Sequence, residues 1–123
     1  MNEKLKSFAR RNYLNIESFR KNGNGVKTPV WFAQDGDTLH VWTQAGTGKV
    51  KRIHRNSSIR IVPSTMSGEP LGDWICAQAQ ADESPEAIQT VTKLMTKKYG
   101  IVFRIFDFLN RKHKAIDLKI TFT

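Results

Sequence analysis

The chain has 123 residues, a net charge of +9, 39% apolar and 25% charged residues, and one cysteine. That length suits a single domain, 1–123, with a core of its own; one cysteine excludes an intrachain disulfide, and no run approaches the ~18–20 apolar residues of a membrane span. A basic surplus of this size points to an anionic partner: nucleic acid, membrane phosphates or an anionic small molecule.

In chain order, residues 2–11 predict a short helix, with Leu5 and Phe8 spaced i, i+3 among cations. No apolar run here resembles a signal peptide, and with a lone cysteine the chain fits a reducing cytoplasm. Residues 13–19 alternate as a strand, with Leu14 and Ile16 on one side. Asn22-Gly23-Asn24-Gly25 is a turn, because Asn and Gly tolerate positive φ. A strand over 26–34 follows; Pro29 inside it requires an edge, a bulge or a place where no ladder N–H is needed. Asp35-Gly36-Asp37 makes a second tight turn into a strand at 38–43, with Leu39 and Val41 opposite His40 and Trp42. These three strands predict an antiparallel meander.

Residues 49–56 predict a two-turn helix, 58–64 a strand, 65–73 a polar Gly/Pro loop, and 74–81 a strand with Ile75, Ala77, Ala79 and Ala81 on one face. Cys76, in mid-strand, is expected as a small core residue. Ser84-Pro85-Glu86 starts a helix with an N-cap, a first-position proline and an acid. Its apolar stripe, Ile88, Val91, Met95 and Tyr99, runs to a C-capping Gly100. A further helix over 101–111 places Ile101, Ile105, Phe108 and Leu109 near one face, and 115–123 alternates as the last strand. About six antiparallel strands joined by tight turns, with three or four helices, predict a mainly β fold: a small barrel with helices outside.

The charge is uneven: residues 61–90 hold no Lys or Arg against five acids, whereas 91–123 hold eight against two. His40, His54 and His113 lack metal-ligand spacing, so no metal site is expected. Motifs for nucleophilic catalysis or nucleotide binding are absent, and no catalytic residue can be named. An enzyme built this way would rely on a cofactor for its reactive atom.

The stretch TGKVKRIHRN, 47–56, is the densest basic segment. At about 100° per residue, Lys49, Arg52, Ile53 and Asn56 share one side of a helix, with Lys51 and Arg55 opposite. Gly46 and Gly48 allow backbone N–H groups close to an anion, and a helix N-terminus adds unpaired donors. A phosphate cradle and a solvated basic helix both satisfy this pattern. Trp31, Trp42 and Trp74, with Phe32, could stack a ring or serve in a core or dimer interface. Basic charge with strand aromatics also describes single-strand nucleic-acid binders, although no RNP-like motif is present.

The string KTPVWFAQDGDTLHVWTQAGTGKVKRIHRN, followed by IRIVPSTMSGEPLGDWICAQAQA, resembles the pyridoxamine 5′-phosphate oxidase-like split-barrel proteins, nearest to their F420-dependent branch. The resemblance spans about residues 12–123. It implies a split β-barrel and a homodimer with cofactor sites at the subunit interface. The implied cofactor is coenzyme F420 or FMN, used in hydride transfer to an unsaturated or quinone-like small molecule. By position, Lys49 and Arg52 would hold its phosphate, with Thr43 and Gly48 beside it. Thr28, Pro29, Val30 and Trp31 would run along the ring through backbone atoms. Val62 and Pro63 would help from the neighbouring strand, and Trp74 from the other subunit. A nucleic-acid-binding barrel and a non-catalytic flavin carrier are the alternatives.

Overall fold

The computed structural model describes residues 3–122; residues 2 and 123, at the ends of the first predicted helix and the last predicted strand, lie outside them. A 3₁₀ turn, Glu3–Phe8, leads into β1 (Tyr13–Phe19), β2 (Gly25–Trp31), β3 (Ala33–Asp35) and β4 (Thr38–Gln44). Helix α1 (Gly48–Arg55) precedes β5 (Ser58–Ser64) and β6 (Ile75–Asp82). Helices α2 (Pro85–Tyr99) and α3 (Ile101–Leu109) then precede β7 (Ala115–Phe122).

All seven strands form one antiparallel sheet in the order β2-β1-β5-β6-β7-β4-β3. The ends of that order, β2 and β3, are consecutive in the chain and separated only by Phe32. The predicted strand 26–34 is therefore two strands. Its first half pairs with β1 and its second half with β4, so the meander switches partners in the middle. β2 and β4 approach one another without strand pairing, which leaves the barrel split along that line.

Period-two alternation aims Leu14 and Ile16, Leu39 and Val41, Ile59 and Ile61, Ala77 and Ala79, and Ile116, Leu118 and Ile120 inward. Leu5 and Phe8 from the 3₁₀ turn, with Val50 and Ile53 from α1, complete this core. Helix α2 starts as its sequence signals: Ser84 Oγ accepts the Ala87 N–H, and Pro85 occupies the first position. It stops at Gly100, whose φ of 65° lets the chain reverse directly into α3. Together these helices bury Val91, Met95 and Phe103 against Ala33 and Trp42 on the outside of the sheet.

One expectation is corrected. Cys76 points outward and is exposed, because the inward positions of β6 are those of Ala77 and Ala79. The stripe Ile101, Ile105, Phe108 and Leu109 of α3 shares one face, as its spacing predicts, and that face meets solvent while the helix buries Phe103.

Candidate functional site

The split between β2 and β4 opens into a cleft of about 310 Å³. Pro29, Val30 and Trp31 form one wall and Trp42, Thr43 and Gln44 the other. Thr47 and Lys49 reach it from the start of α1, with Tyr13 and Phe106 at the rim. β2 is an edge strand here, which accommodates Pro29 without loss of a ladder bond.

Five of the eleven residues singled out in sequence meet in this cleft: Pro29, Val30, Trp31, Thr43 and Lys49. Thr28 precedes them on the same edge strand. Gly48 and Arg52 adjoin at the N-terminus of α1. Arg52 Nη1 would stand 2.9 Å from a Cβ at Gly48, so the guanidinium folds back over the first turn. Its Nε donates to Ser18 Oγ at 2.7 Å, which anchors the side chain on β1. Thr47, the N-cap, spends its hydroxyl on the Gln44 carbonyl and leaves the first-turn amides without a side-chain cap. Val62, Pro63 and Trp74 lie outside the cleft of their own chain. Val62 is fully buried on β5, and Trp74 sits beneath the cations of Lys27 and Arg60.

The electrostatics favour an anion. Lys49 makes no ion pair among the described residues; burial, then the nearby Arg52 charge, lowers its pKa from 10.5. The Arg52 pKa is lowered too, by burial and by its neighbours Arg20 and Arg55. Lys51 and Arg55 are exposed to solvent. An incoming phosphate would relieve the repulsion between Lys49 and Arg52 and accept their hydrogen bonds.

The apolar wall is an aromatic assembly. Trp31 stacks on Tyr99 with ring centroids 5.0 Å apart, and Phe106 meets Trp31 and Trp42 at 5.5 Å each. Trp42 is 9% exposed, and its indole N–H, itself buried, has no hydrogen-bond partner among the described residues. A buried donor of this kind is costly unless something accepts from it. Tyr13, Gln44, Thr47 and Phe106 escaped the sequence reading. Tyr13 and Phe106 come from distant elements, and only the helical period of α3 placed Phe106 opposite its exposed stripe. The residues present fit a planar ring with a phosphate tail: an aromatic slot, an edge strand, and a cationic helix start.

No protein-family model matches the chain, and no curated protein matches it in sequence. Solved structures do. The haem storage protein HutZ of Vibrio cholerae superposes with a TM-score of 0.74 at 16% identity, covering 98% of this chain and 88% of that one. A structure named F420 reductase gives a TM-score of 0.64 at 14% identity, over 100% and 95% of the two chains. A Listeria innocua protein assigned as a candidate pyridoxamine 5′-phosphate oxidase gives 0.62 at 15%, over 97% and 90%. These likenesses establish the split-barrel fold, shared by proteins whose names point to different ligands.

Proposed function

We propose that the chain is an oxidoreductase that binds F420 or FMN in the β2–β4 cleft, with hydride transfer to an unsaturated or quinone-like small molecule. One observation carries this reading: the split of the barrel holds aromatic walls and a half-buried ammonium, without an ion pair among the described residues, at the start of a helix, within one cleft. When bound, the cofactor would supply the hydride-transferring ring, a chemistry the side chains themselves lack.

The residues have separable tasks in this reading. Lys49, Arg52 and the first-turn amides of α1 anchor the phosphate. The edge of β2 from Thr28 to Trp31 orients the ring. Trp31, Trp42 and Phe106 exclude water. The cleft volume is at the lower end for ligand pockets, typically ~300–1,000 Å³. A second copy of the chain would enlarge it, in keeping with a homodimer.

The test is the absorbance spectrum of the purified protein, followed by titration with FMN and with F420 at matched salt. Saturable micromolar binding of either supports the reading and selects the cofactor. Binding without turnover on any acceptor would make the protein a carrier. Absence of binding to both would remove the proposal.

A further inference from the structure

Helix α3 presents an unusual surface. Ile101, Val102, Ile105, Phe106, Phe108 and Leu109 are all substantially exposed, from 41% at Phe106 to 73% at Leu109. Six large apolar side chains on one nine-residue helix exceed the scattered exposure normal for a surface. Around the helix, Ile101, Ile105, Phe108, Leu109 and Val102 occupy one continuous arc, and Arg104 and Arg111 flank it beside Phe108. The Arg111 guanidinium stands 4.9 Å from the Phe108 ring centroid. Beyond that flank, a groove of about 710 Å³ separates α3 from α2, with Lys93 and Lys97 on its far bank. From residue 93 to 114 the sequence holds seven Lys or Arg and a single acid, Asp107.

We propose that this face docks on the surface of an anionic lipid bilayer. An apolar arc bordered by cations is the pattern of a helix lying in the membrane interface. A nine-residue helix is about 13 Å long, far short of the ~30 Å hydrocarbon core, so α3 can lie in the interface but cannot cross it. Charge decides between a bilayer and a second copy of the chain. A two-fold contact through α3 would set the same patch against itself and gather the Arg104, Arg111 and Lys112 cations of both copies around one interface, where Asp107 is the single acid that residues 93–114 of each copy offer. Anionic headgroups complement those cations instead. Phe106 belongs both to this helix and to the rim of the β2–β4 cleft, so docking would bring the cleft mouth near the membrane surface.

Co-sedimentation of the full chain with vesicles tests this. One set contains phosphatidylcholine and phosphatidylglycerol in equal parts, the other phosphatidylcholine alone. The chain should sediment with the mixed vesicles only, and release at high salt. Phe108→Ser with Leu109→Ser should lower partitioning at least about tenfold, since burial of the apolar arc drives insertion. Arg104→Gln with Arg111→Gln should lower it about fivefold per cation. All four side chains are exposed, so the variants should keep the parent circular dichroism; if the apolar pair unfolds the protein, the arginine pair still decides. Equal partitioning on both vesicle types, or no loss in either variant, overturns the proposal. So does a dimer that the Phe108 and Leu109 variant dissociates while vesicles take up no protein.

Discussion

Burial and the Arg52 guanidinium together hold the Lys49 pKa below 10.5. A bound phosphate would raise it, because it stabilises the ammonium. Affinity is then full below the free-state pKa and falls as pH rises through it, earlier than an ordinary lysine would allow. Between the free and bound pKa values, binding should take up a proton; calorimetry in buffers of different ionisation enthalpy reads that uptake directly, and none would remove Lys49 from the site. Substitution separates the two faces of α1. Lys49→Ala and Arg52→Ala each delete a charge-assisted bond of about 1.5–3 kcal/mol, so each should weaken cofactor binding about tenfold or more. Lys51→Ala and Arg55→Ala should change it little. Equal losses from both pairs would mean a diffuse electrostatic patch. The exposure of Lys51 and Arg55 against the partial burial of Lys49 and Arg52 follows the helical period, whereas the closeness of the Arg55 charge to Arg52 was not drawn from it. The cleft location of Trp42 was not legible in the sequence, since alternation places its ring on one face of β4 without saying what covers it.

At the scale of the elements, two contacts tie sheet and helices to the cleft. The first is the start of α1. A methyl group at Gly48 would meet Arg52 Nη1 at 2.9 Å, the movable end of a flexible side chain. Gly48→Ala should therefore displace the guanidinium rather than the helix. Alanine is a better helix former by about 0.5–1 kcal/mol, so the melting temperature should hold or rise while cofactor affinity falls several-fold. A loss of both together would show that the glycine serves the fold alone. The second contact is where β2 becomes β3. Tyr99 Oη accepts the Phe32 N–H at 3.1 Å and stands 2.6 Å from the Phe32 carbonyl oxygen, while Lys98 Nζ donates to that carbonyl at 2.8 Å. Burial raises the phenol pKa, so it stays protonated. Tyr99→Phe leaves a buried N–H without its acceptor, at a cost of about 1–3 kcal/mol, and should lower the urea midpoint with an unchanged slope. This hinge was hidden in the sequence. Residues 26–34 read as one strand because alternation continues through Phe32, and partner choice is a tertiary property. The stripe of α3 was legible as a face but not as an exposed one, for a related reason: periodicity finds an apolar face but not its neighbour.

For the whole molecule, the open question is how the cleft is completed. The β2–β4 split faces the aromatic wall from α2 and α3. Trp74 lies further along the same outer face of the sheet, where the Glu17 carboxylate links to Arg60 and where Lys27 and Arg60 each stand 5.3 Å from the indole centroid. The loop 65–73 folds over this outer face. Gly68 accepts a hydrogen bond from Asn15 Nδ2 at 2.8 Å, while Asn15 Oδ1 stays buried and unpartnered and Met66 and Leu71 stay exposed. A homodimer through this face would cover those apolar side chains and leave α3 free. It would also carry Trp74 of one copy toward the cleft of the other, the role that resemblance assigned to it. The consequence is measurable. Within one chain Trp74 does not line the cleft, so Trp74→Ala should leave cofactor binding unchanged if each protomer acts alone. In the dimer reading it should weaken binding several-fold and also raise the dimer dissociation constant. Mixing the Trp74→Ala chain with a Lys49→Ala chain then decides the matter. The mixed dimer has one site lacking both groups and one site lacking neither, so with shared sites random assortment restores the native pair at about a quarter of all sites and binding rises on mixing, whereas self-contained sites show no rise above the sum of the two variants measured separately.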